Sequence, residues 1–212
     1  MKCSFEKEGI KDILNEYKGY CWYAHQLNLD QNEIVNLYQY NHSFAILKIK
    51  FHQGELGNPY LSIEKNYNRL FSALTYYFNT FKKTDYSYSH GDYSLSNLIF
   101  LNEKVDWIID WEHFNDLLPP EFDILNCIME PCYFKFIKTG KISNNEVNQI
   151  KSLLHYAANN ISLSDAAVNM PAKCLSSYYN ANKQIFGSQY NKYPLAICSE
   201  ETINKIDEFF KF

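Results

Sequence analysis

Three polar side chains near the middle of the chain have the types and spacing that chemistry requires. Asp92 and Asn97 lie within the stretch His90–Phe100, and Asp110 follows a short apolar run. A carboxylate such as Asp92 can orient an attacking hydroxyl group and accept its proton. Amide and carboxylate oxygens are the hard donors that Mg²⁺ prefers. Since phosphoryl transfer rests mainly on positioning and charge neutralisation, the residues predict a catalytic base at Asp92 and magnesium ligands at Asn97 and Asp110.

A β-hairpin is expected to bring these side chains together. The apolar pattern predicts strands over Leu98–Leu101 and Val105–Ile109, with a turn at residues 102–104. The first strand begins directly after Asn97, and the second ends at Asp110. Because an antiparallel pair returns the chain to its starting edge, both ends of the hairpin and the preceding Asp92 should lie at one edge of the ribbon.

These residues resemble a known family. His90-Gly91-Asp92 with Asn97, followed by Ile109-Asp110-Trp111-Glu112, is similar to the aminoglycoside phosphotransferase and choline kinase superfamily, which has a protein-kinase-like fold. The five-residue offset matches the H-R-D-x-x-x-x-N catalytic loop of protein kinases, and the later aspartate stands where the Asp of D-F-G would stand. The resemblance implies ATP and Mg²⁺ as cofactors, with His90 and Glu112 in supporting positions.

A further acidic motif, Pro120–Asn126, is closest to the choline and ethanolamine kinase form. His-Gly-Asp, in contrast, is the aminoglycoside-kinase form of the first motif, so the class of acceptor stays open. The resemblance implies that Asp123 braces the catalytic loop from behind. Asp116 and Glu130 are expected either to make the mouth of the substrate site negative, which suits a cationic or polyhydroxyl acceptor, or to be solvated surface residues.

The amino-terminal part predicts a helix followed by a hairpin. Residues 5–18 have apolar side chains at helical spacing, and Gly19 with the aromatic run after it is expected to end the helix. Glu33–Tyr40 and Phe44–Phe51 predict two strands around a turn at 41–43. On the resemblance, these elements form the second half of a kinase amino-terminal lobe.

The resemblance also implies a nucleotide site in this lobe. Lys2 would contact phosphate, with Glu6 or Glu8 on the helix as its ion-pair partner, and Lys50-Phe51-His52 would be the hinge that binds adenine. No Gly-rich strand pair precedes Lys2 in the sequence, so we expect an incomplete lobe without the phosphate-covering loop.

The remainder of the chain predicts helices. Residues 61–83 should form a long helix preceding Asp85, and Phe122–Ile137 a buried helix broken near Pro131. Ser143 or Asn144, Ser164 and Ser199 are expected to cap later helices, the last of which should end at Phe212. An aromatic group from Tyr178 to Tyr193 is expected to be mostly core, with some rings available for an acceptor pocket.

Composition excludes several classes of function. The formal net charge is −4 with no basic block, which argues against nucleic acid as a partner. No apolar run reaches the length of about 18 residues that a membrane span needs. The first residues do not form a signal peptide, and the six cysteines lack C-x-x-C spacing, so we expect free thiols in the cytoplasm.

The sequence therefore predicts an α+β, protein-kinase-like fold, with a short incomplete amino-terminal lobe over residues 1–52 and a mostly helical lobe over residues 53–212. The predicted function is ATP- and Mg²⁺-dependent phosphorylation of a small-molecule hydroxyl on a choline- or ethanolamine-like, aminoglycoside-like or sugar-like acceptor. Two alternatives stay open: a catalytically impaired remnant or pseudokinase that serves as a binding or scaffold module, and a fragment of a longer product.

Overall fold

A computed structural model describes residues 1–40, 44–82 and 86–211 of the chain. Within these residues the protein is α+β and mostly helical, with two antiparallel sheets of three strands each. The strands are β1 Lys2–Ser4, β2 Val35–Tyr40, β3 Phe44–Ile49, β4 Glu55–Leu56, β5 Leu98–Leu101 and β6 Lys104–Ile108. The helices are α1 Lys7–Gln26, α2 Gln31–Ile34, α3 Ile63–Phe81, α4 Pro120–Thr139, α5 Asn144–Ala158, α6 Asp165–Asn169, α7 Pro171–Ala181, α8 Lys183–Phe186, α9 Pro194–Ile197 and α10 Glu200–Glu208.

The first sheet has the order β1-β3-β2, and it confirms the predicted amino-terminal hairpin. Both pairings are antiparallel, with Lys2 opposite Leu47 and Val35 opposite Ile49. The strands are slightly shorter than predicted, and the turn predicted at 41–43 lies outside the described residues. The sheet packs its buried side chains, such as Ala45 and Leu47, against α1.

Helix α1 does not end at Gly19, as the sequence predicted, but continues to Gln26. Glycine inside a helix costs about 1 kcal/mol relative to alanine. Here the missing side chain has a packing role, because a Cβ atom at Gly19 would lie 2.5 Å from Cβ of Trp111. The continued helix also buries Tyr20 and Tyr23. This burial stabilises the fold by more than the glycine costs.

The second sheet has the order β4-β5-β6 and contains the predicted central hairpin. Strand β5 matches the prediction, and β6 is displaced by one residue. Asn102 and Glu103 form the turn with φ angles of 50° and 64°. Positive φ at two successive turn residues is the requirement of a type I′ hairpin, whose twist matches that of the strands. The turn thereby fixes which residues of the two strands face each other.

The carboxy-terminal helices follow the predicted order with one correction. Helix α4 is unbroken at Pro131 and ends at Gly140, which adopts the left-handed conformation with φ 65°. A proline inside a helix costs about 3 kcal/mol. Burial of its neighbours Ile128, Met129 and Cys132 opposes that cost, so packing keeps the helix intact.

The predicted serine caps are confirmed. Ser143 begins α5 with a capping box that includes Glu146, while Ser164 and Ser199 accept backbone hydrogen bonds at the starts of α6 and α10. Ser62 caps α3 in the same way. The predicted helix end at residue 83, Asp85, and the predicted end at Phe212 lie outside the described residues.

The described residues contain no helix that could span a membrane, and their cysteines form no disulfide bonds. None of the helices there combines the length and apolar character that crossing a bilayer requires. All six cysteines lie within the described ranges and are free thiols.

Candidate active site

Two side-chain amides hold the Asp92 carboxylate. Asn97 Nδ2 donates to Asp92 Oδ2 and to the Asp92 carbonyl oxygen, at 2.9 Å in each case. Asn126 Nδ2 donates to the other carboxylate oxygen at 3.1 Å, and its own amide oxygen accepts from Tyr179 Oη at 2.7 Å. Both oxygens of Asp92 therefore have fixed directions. Sequence reasoning named Asn97 but missed Asn126, although Asn126 closes the motif that was singled out.

Asp123 braces the loop before Asp92, as the resemblance implied. Its fully buried carboxylate accepts hydrogen bonds from the backbone nitrogens of His90 at 2.7 Å and Gly91 at 3.0 Å. The hydroxyl groups of Ser89 and Tyr77 donate to it as well, at 2.9 and 3.1 Å. Burial raises the pKa of Asp123 to about 6, although the four donors oppose this effect.

His90 links the loop to the end of β6. Its Nδ1 atom accepts from the backbone nitrogen of Asp92 at 3.2 Å, and its Nε2 atom donates to the carbonyl oxygen of Ile109 at 3.0 Å. Burial lowers the pKa of His90 to about 4, so the ring is neutral at physiological pH. Gly91 has φ 81°, and a Cβ atom there would lie 2.2 Å from the carbonyl oxygen of His113. The loop conformation therefore requires glycine.

Lys2 lies among three carboxylates, but its partner on α1 is not the predicted one. Lys2 Nζ lies 2.5 Å from Asp110 Oδ1 and 2.9 Å from Glu16 Oε2, with Glu112 Oε2 farther away at 3.8 Å. The prediction of Glu6 or Glu8 is wrong. Eight residues of helix correspond to about 12 Å, so the first turn of α1 is far from the point where Lys2 meets the helix.

The Glu8 carboxylate lies elsewhere, with Oε1 at 3.4 Å from the backbone nitrogen of Ser188. The side chain of Glu16, in contrast, is only 1% exposed. Burial raises the pKa of Glu16 to about 7, against the attraction of Lys2. Burial opposes the charge of Lys2, but Glu16 and Asp110 hold the pKa of the lysine above its ordinary value. The ammonium group therefore keeps its charge.

Asp110 has a backbone conformation that is uncommon for a residue other than glycine. Its φ angle is 63°, and its backbone nitrogen donates to Tyr20 Oη at 3.4 Å. Left-handed backbone at a non-glycine residue is stored strain, which is concentrated at functional sites. The conformation occurs where β6 ends, and the carboxylate there is about one-third exposed.

Asp92 and Asp110 line one cavity of about 350 Å³. Two further carboxylates, Glu112 and Glu130, line it as well, and Lys192 is its lysine. The rings around it are Tyr60, Tyr133, Phe134, Tyr179 and Tyr193. Of the aromatic group predicted from the sequence, Tyr179 and Tyr193 therefore contribute to the cavity wall while being largely buried.

Glu130 lies in this wall with an unusual environment. Its Oε2 atom is buried and has no hydrogen-bond partner among the described residues. Burial raises the pKa of Glu130 to about 7, although a hydrogen bond from the backbone nitrogen of Leu95 opposes this effect. Burial, Glu130 and Asp110 together raise the pKa of Asp92 well above its ordinary value. The sequence left open whether Asp116 and Glu130 line the substrate site or are solvated surface residues. Glu130 lines the candidate site, whereas Asp116 is an exposed surface residue.

The three residues predicted as a hinge do not line this cavity. Lys50 and Phe51 are exposed, with 85% of Phe51 accessible to solvent. His52 stacks on Trp107 with ring centroids 3.8 Å apart, and its Nδ1 atom lies 3.9 Å from Asp106 Oδ2. The contact of these three residues with adenine stays a prediction.

The donor set fits a magnesium ion that phosphate completes. Among the described residues, no three or more His, Cys, Asp or Glu side chains are grouped to hold a metal. Magnesium, however, usually takes one or two protein oxygens and leaves the other positions to phosphate and water. Asp110 offers a carboxylate, and Asn97 uses its amide nitrogen for Asp92, which leaves the amide oxygen for a ligand. Asp110 lines the cavity, and Asn97 contacts the Asp92 carboxylate beside it, so a magnesium ion held by these two residues stays a prediction.

Neither a scan against protein-family models nor a search of curated proteins finds a match to this chain. The resemblance carried by the segments 90–97 and 109–112 therefore stays a prediction.

Proposed function

We propose that the protein is an ATP- and Mg²⁺-dependent phosphotransferase that acts on the hydroxyl group of a small cationic alcohol. One observation carries the proposal: Asp92, held by two amides, and Asp110, paired with Lys2, line the same cavity. The order of β1, α1 and the β2–β3 hairpin before the Asp92 loop supports a protein-kinase-like fold. It also supports membership of the aminoglycoside phosphotransferase and choline kinase superfamily.

Each polar residue has a role in this reaction. Asp92 orients the acceptor hydroxyl and accepts its proton, while Asn97 and Asn126 fix the direction of the carboxylate. Asp110 and the amide oxygen of Asn97 would hold Mg²⁺, which neutralises phosphate charge when bound. Lys2 provides a positive charge at the same edge.

The wall of the cavity favours a cationic acceptor over a neutral sugar. Four carboxylates line it, including Glu130 with one unpartnered oxygen, whereas Lys192 is the one lysine among the described residues of the wall. An exposed aromatic ring in the wall, such as that of Tyr60, can hold an ammonium group through cation–π attraction. Choline, ethanolamine and aminoglycosides share this chemistry, so the proposed class is an alcohol that carries an ammonium group.

Transfer of the γ-phosphate from labelled ATP to choline, ethanolamine and an aminoglycoside panel tests the proposal. We expect Asp92→Asn to lower kcat by at least about 100-fold, the usual contribution of a general base. Asp116→Asn is the matched control, because Asp116 is exposed and lies outside the cavity wall. Transfer that survives undiminished in Asp92→Asn would refute the assignment of the base.

A non-catalytic binding module is the second candidate, and one contact favours it. The 2.5 Å approach of Lys2 Nζ to Asp110 Oδ1 pairs the proposed phosphate contact with the proposed metal ligand. Calorimetry of ATP binding with and without Mg²⁺ distinguishes the two. A working site binds nucleotide more tightly with Mg²⁺ and loses that gain in Asp110→Ala, whereas a scaffold shows no such gain.

A further inference from the structure

A second compartment of about 410 Å³ adjoins the cavity that contains Asp92. The two share three wall residues: Tyr60, Ser96 and Glu130. The other walls of the second compartment come from residues 56–59, and neither Asp92 nor Asp110 lines it. A ligand whose hydroxyl group lies at Asp92 can therefore extend past Glu130 into a space that contains none of the proposed catalytic groups.

The loop that forms this compartment is held in place by hydrogen bonds to its backbone. Gly57 N donates to the carbonyl oxygen of Leu98 at 3.0 Å, and Asn66 Nδ2 donates to the carbonyl oxygen of Asn58 at 2.9 Å. A Cβ atom at Gly57 would lie 2.3 Å from the carbonyl oxygen of Leu95, so the loop lies directly against the segment after Asp92. These contacts fix the backbone of the loop that forms this wall.

Its lining is mainly apolar. Leu56, Pro59 and Tyr60 contribute side chains, and Leu56 and Tyr60 remain 55% and 67% exposed. Asn58 uses its side-chain oxygen to accept from the backbone nitrogen of Tyr60 at 3.0 Å. The Tyr60 ring packs on Phe134 of the first cavity, with centroids 4.4 Å apart. An alkyl or aryl group placed here would cover apolar surface that is otherwise exposed to water.

Glu130 lies at the junction of the two spaces. It is a wall residue of both, and its buried Oε2 atom has no partner among the described residues. The carboxylate has a hydrogen bond from the backbone nitrogen of Leu95, but a buried carboxylate oxygen that lacks a partner is costly unless a ligand supplies one. An ammonium group at this point would supply it, with the hydroxyl arm directed toward Asp92 and another substituent directed into the second compartment.

We propose that this compartment, the extension pocket formed by residues 56–60 with Ser96 and Glu130, binds an apolar substituent on the cationic nitrogen of the acceptor. The preferred ligand is then an N-alkyl or N-aryl amino alcohol rather than an unsubstituted one. The inference rests on the proposed function for the position of the hydroxyl arm. It adds a specificity pocket to that site and names Leu56 and Tyr60 as residues that contact the substituent.

Equilibrium binding tests the pocket independently of catalysis. Calorimetry would give Kd for a series of N-alkyl-N,N-dimethylethanolammonium ions, with the alkyl chain lengthened from methyl to hexyl. We expect affinity to rise about fourfold per methylene until the pocket is filled. Leu56→Ser and, as a second variant, Tyr60→Ser should flatten this dependence. Leu101→Ser is the matched control, since Leu101 is similarly exposed at 53% and lines neither space.

Two results would overturn the inference. One is an affinity that does not change with chain length in the wild type, or that changes equally in the wild type and both pocket variants. The other is a loss of ATP affinity in the pocket variants with an unchanged chain-length series, which would assign the compartment to the nucleotide. Phosphate transfer to choline is measured separately. Chain-length-dependent binding without transfer supports the pocket and refutes the phosphotransferase, whereas transfer without chain-length dependence does the reverse.

Discussion

Replacing Glu130 by glutamine should change how the stability of the protein depends on pH. Burial raises the pKa of Glu130 from its ordinary value of 4.5 to about 7 in the folded state. Below pH 4.5 the folded and unfolded states are both protonated, and the group has no effect on the balance. As pH rises through 4.5 to 7, the unfolded state loses its proton first, so stability falls. Above pH 7 that loss is complete.

The size of the effect follows from the two pKa values. The difference between 4.5 and about 7 corresponds to roughly 3 kcal/mol of unfolding free energy. Glutamine has nearly the same shape as glutamate and no charge. The unfolding free energy of Glu130→Gln therefore does not fall as the pH rises from 4.5 to 7. We expect the variant to gain up to roughly 3 kcal/mol over wild type between pH 4.5 and pH 8.5. Asp92 titrates with Glu130, so the midpoint belongs to the pair, but the sign is unchanged.

Urea unfolding at a series of pH values from 4.5 to 8.5 measures this difference. The informative quantity is the change of the mutant–wild-type difference with pH, because it cancels any pH-independent cost of the new amide. Asp116→Asn provides a control in which an exposed carboxylate is neutralised. A difference between Glu130→Gln and wild type that stays constant across the range would show that Glu130 is solvated in the folded protein, and would remove the buried carboxylate from the site.

Three further substitutions test other contacts. Asp123→Asn should destabilise the fold by about 1–3 kcal/mol in urea unfolding, because it turns one acceptor of backbone N–H groups into a donor, and unchanged stability would contradict the bracing role. Glu16→Gln should weaken Mg²⁺-dependent ATP binding in calorimetry while Glu8→Gln should not, and equal effects would contradict the Lys2–Glu16 pairing. Gly19→Ala should lower stability by about 1–3 kcal/mol, since its methyl group overlaps Trp111, and a gain in stability would show that α1 can move away.

Local features of the site were predictable from the sequence. Strand β5 occupies the predicted residues, and Asn97 contacts Asp92 across only five residues, a distance that the loop itself determines. The serine caps depend on hydrogen bonds to backbone groups a few residues away. These features depend only on residues that are close together in the sequence. Hydrophobic periodicity and residue type are therefore sufficient to predict them.

Long-range features were not predictable in the same way. Asn126 reaches Asp92 across 34 residues, and Glu130 becomes a wall residue only because residues 56–60 and Ser96 pack beside it. Whether a carboxylate on a helix is solvated or buried depends on which segments cover it, and a single sequence does not specify that. This is why Glu130 and Asp116 looked equivalent in the sequence and are different in the structure.

The two errors about α1 have one physical origin. The sequence predicts the end of the helix at Gly19 and the partner of Lys2 at Glu6 or Glu8. In the structure Gly19 lets the helix backbone approach Trp111 closely, which no larger residue would allow. Glu16 lies one turn before that contact, and Asp110 lies one residue before Trp111, so the close approach brings the two carboxylates to the same lysine. A residue that weakens a helix in isolation thus sets which glutamate completes the site.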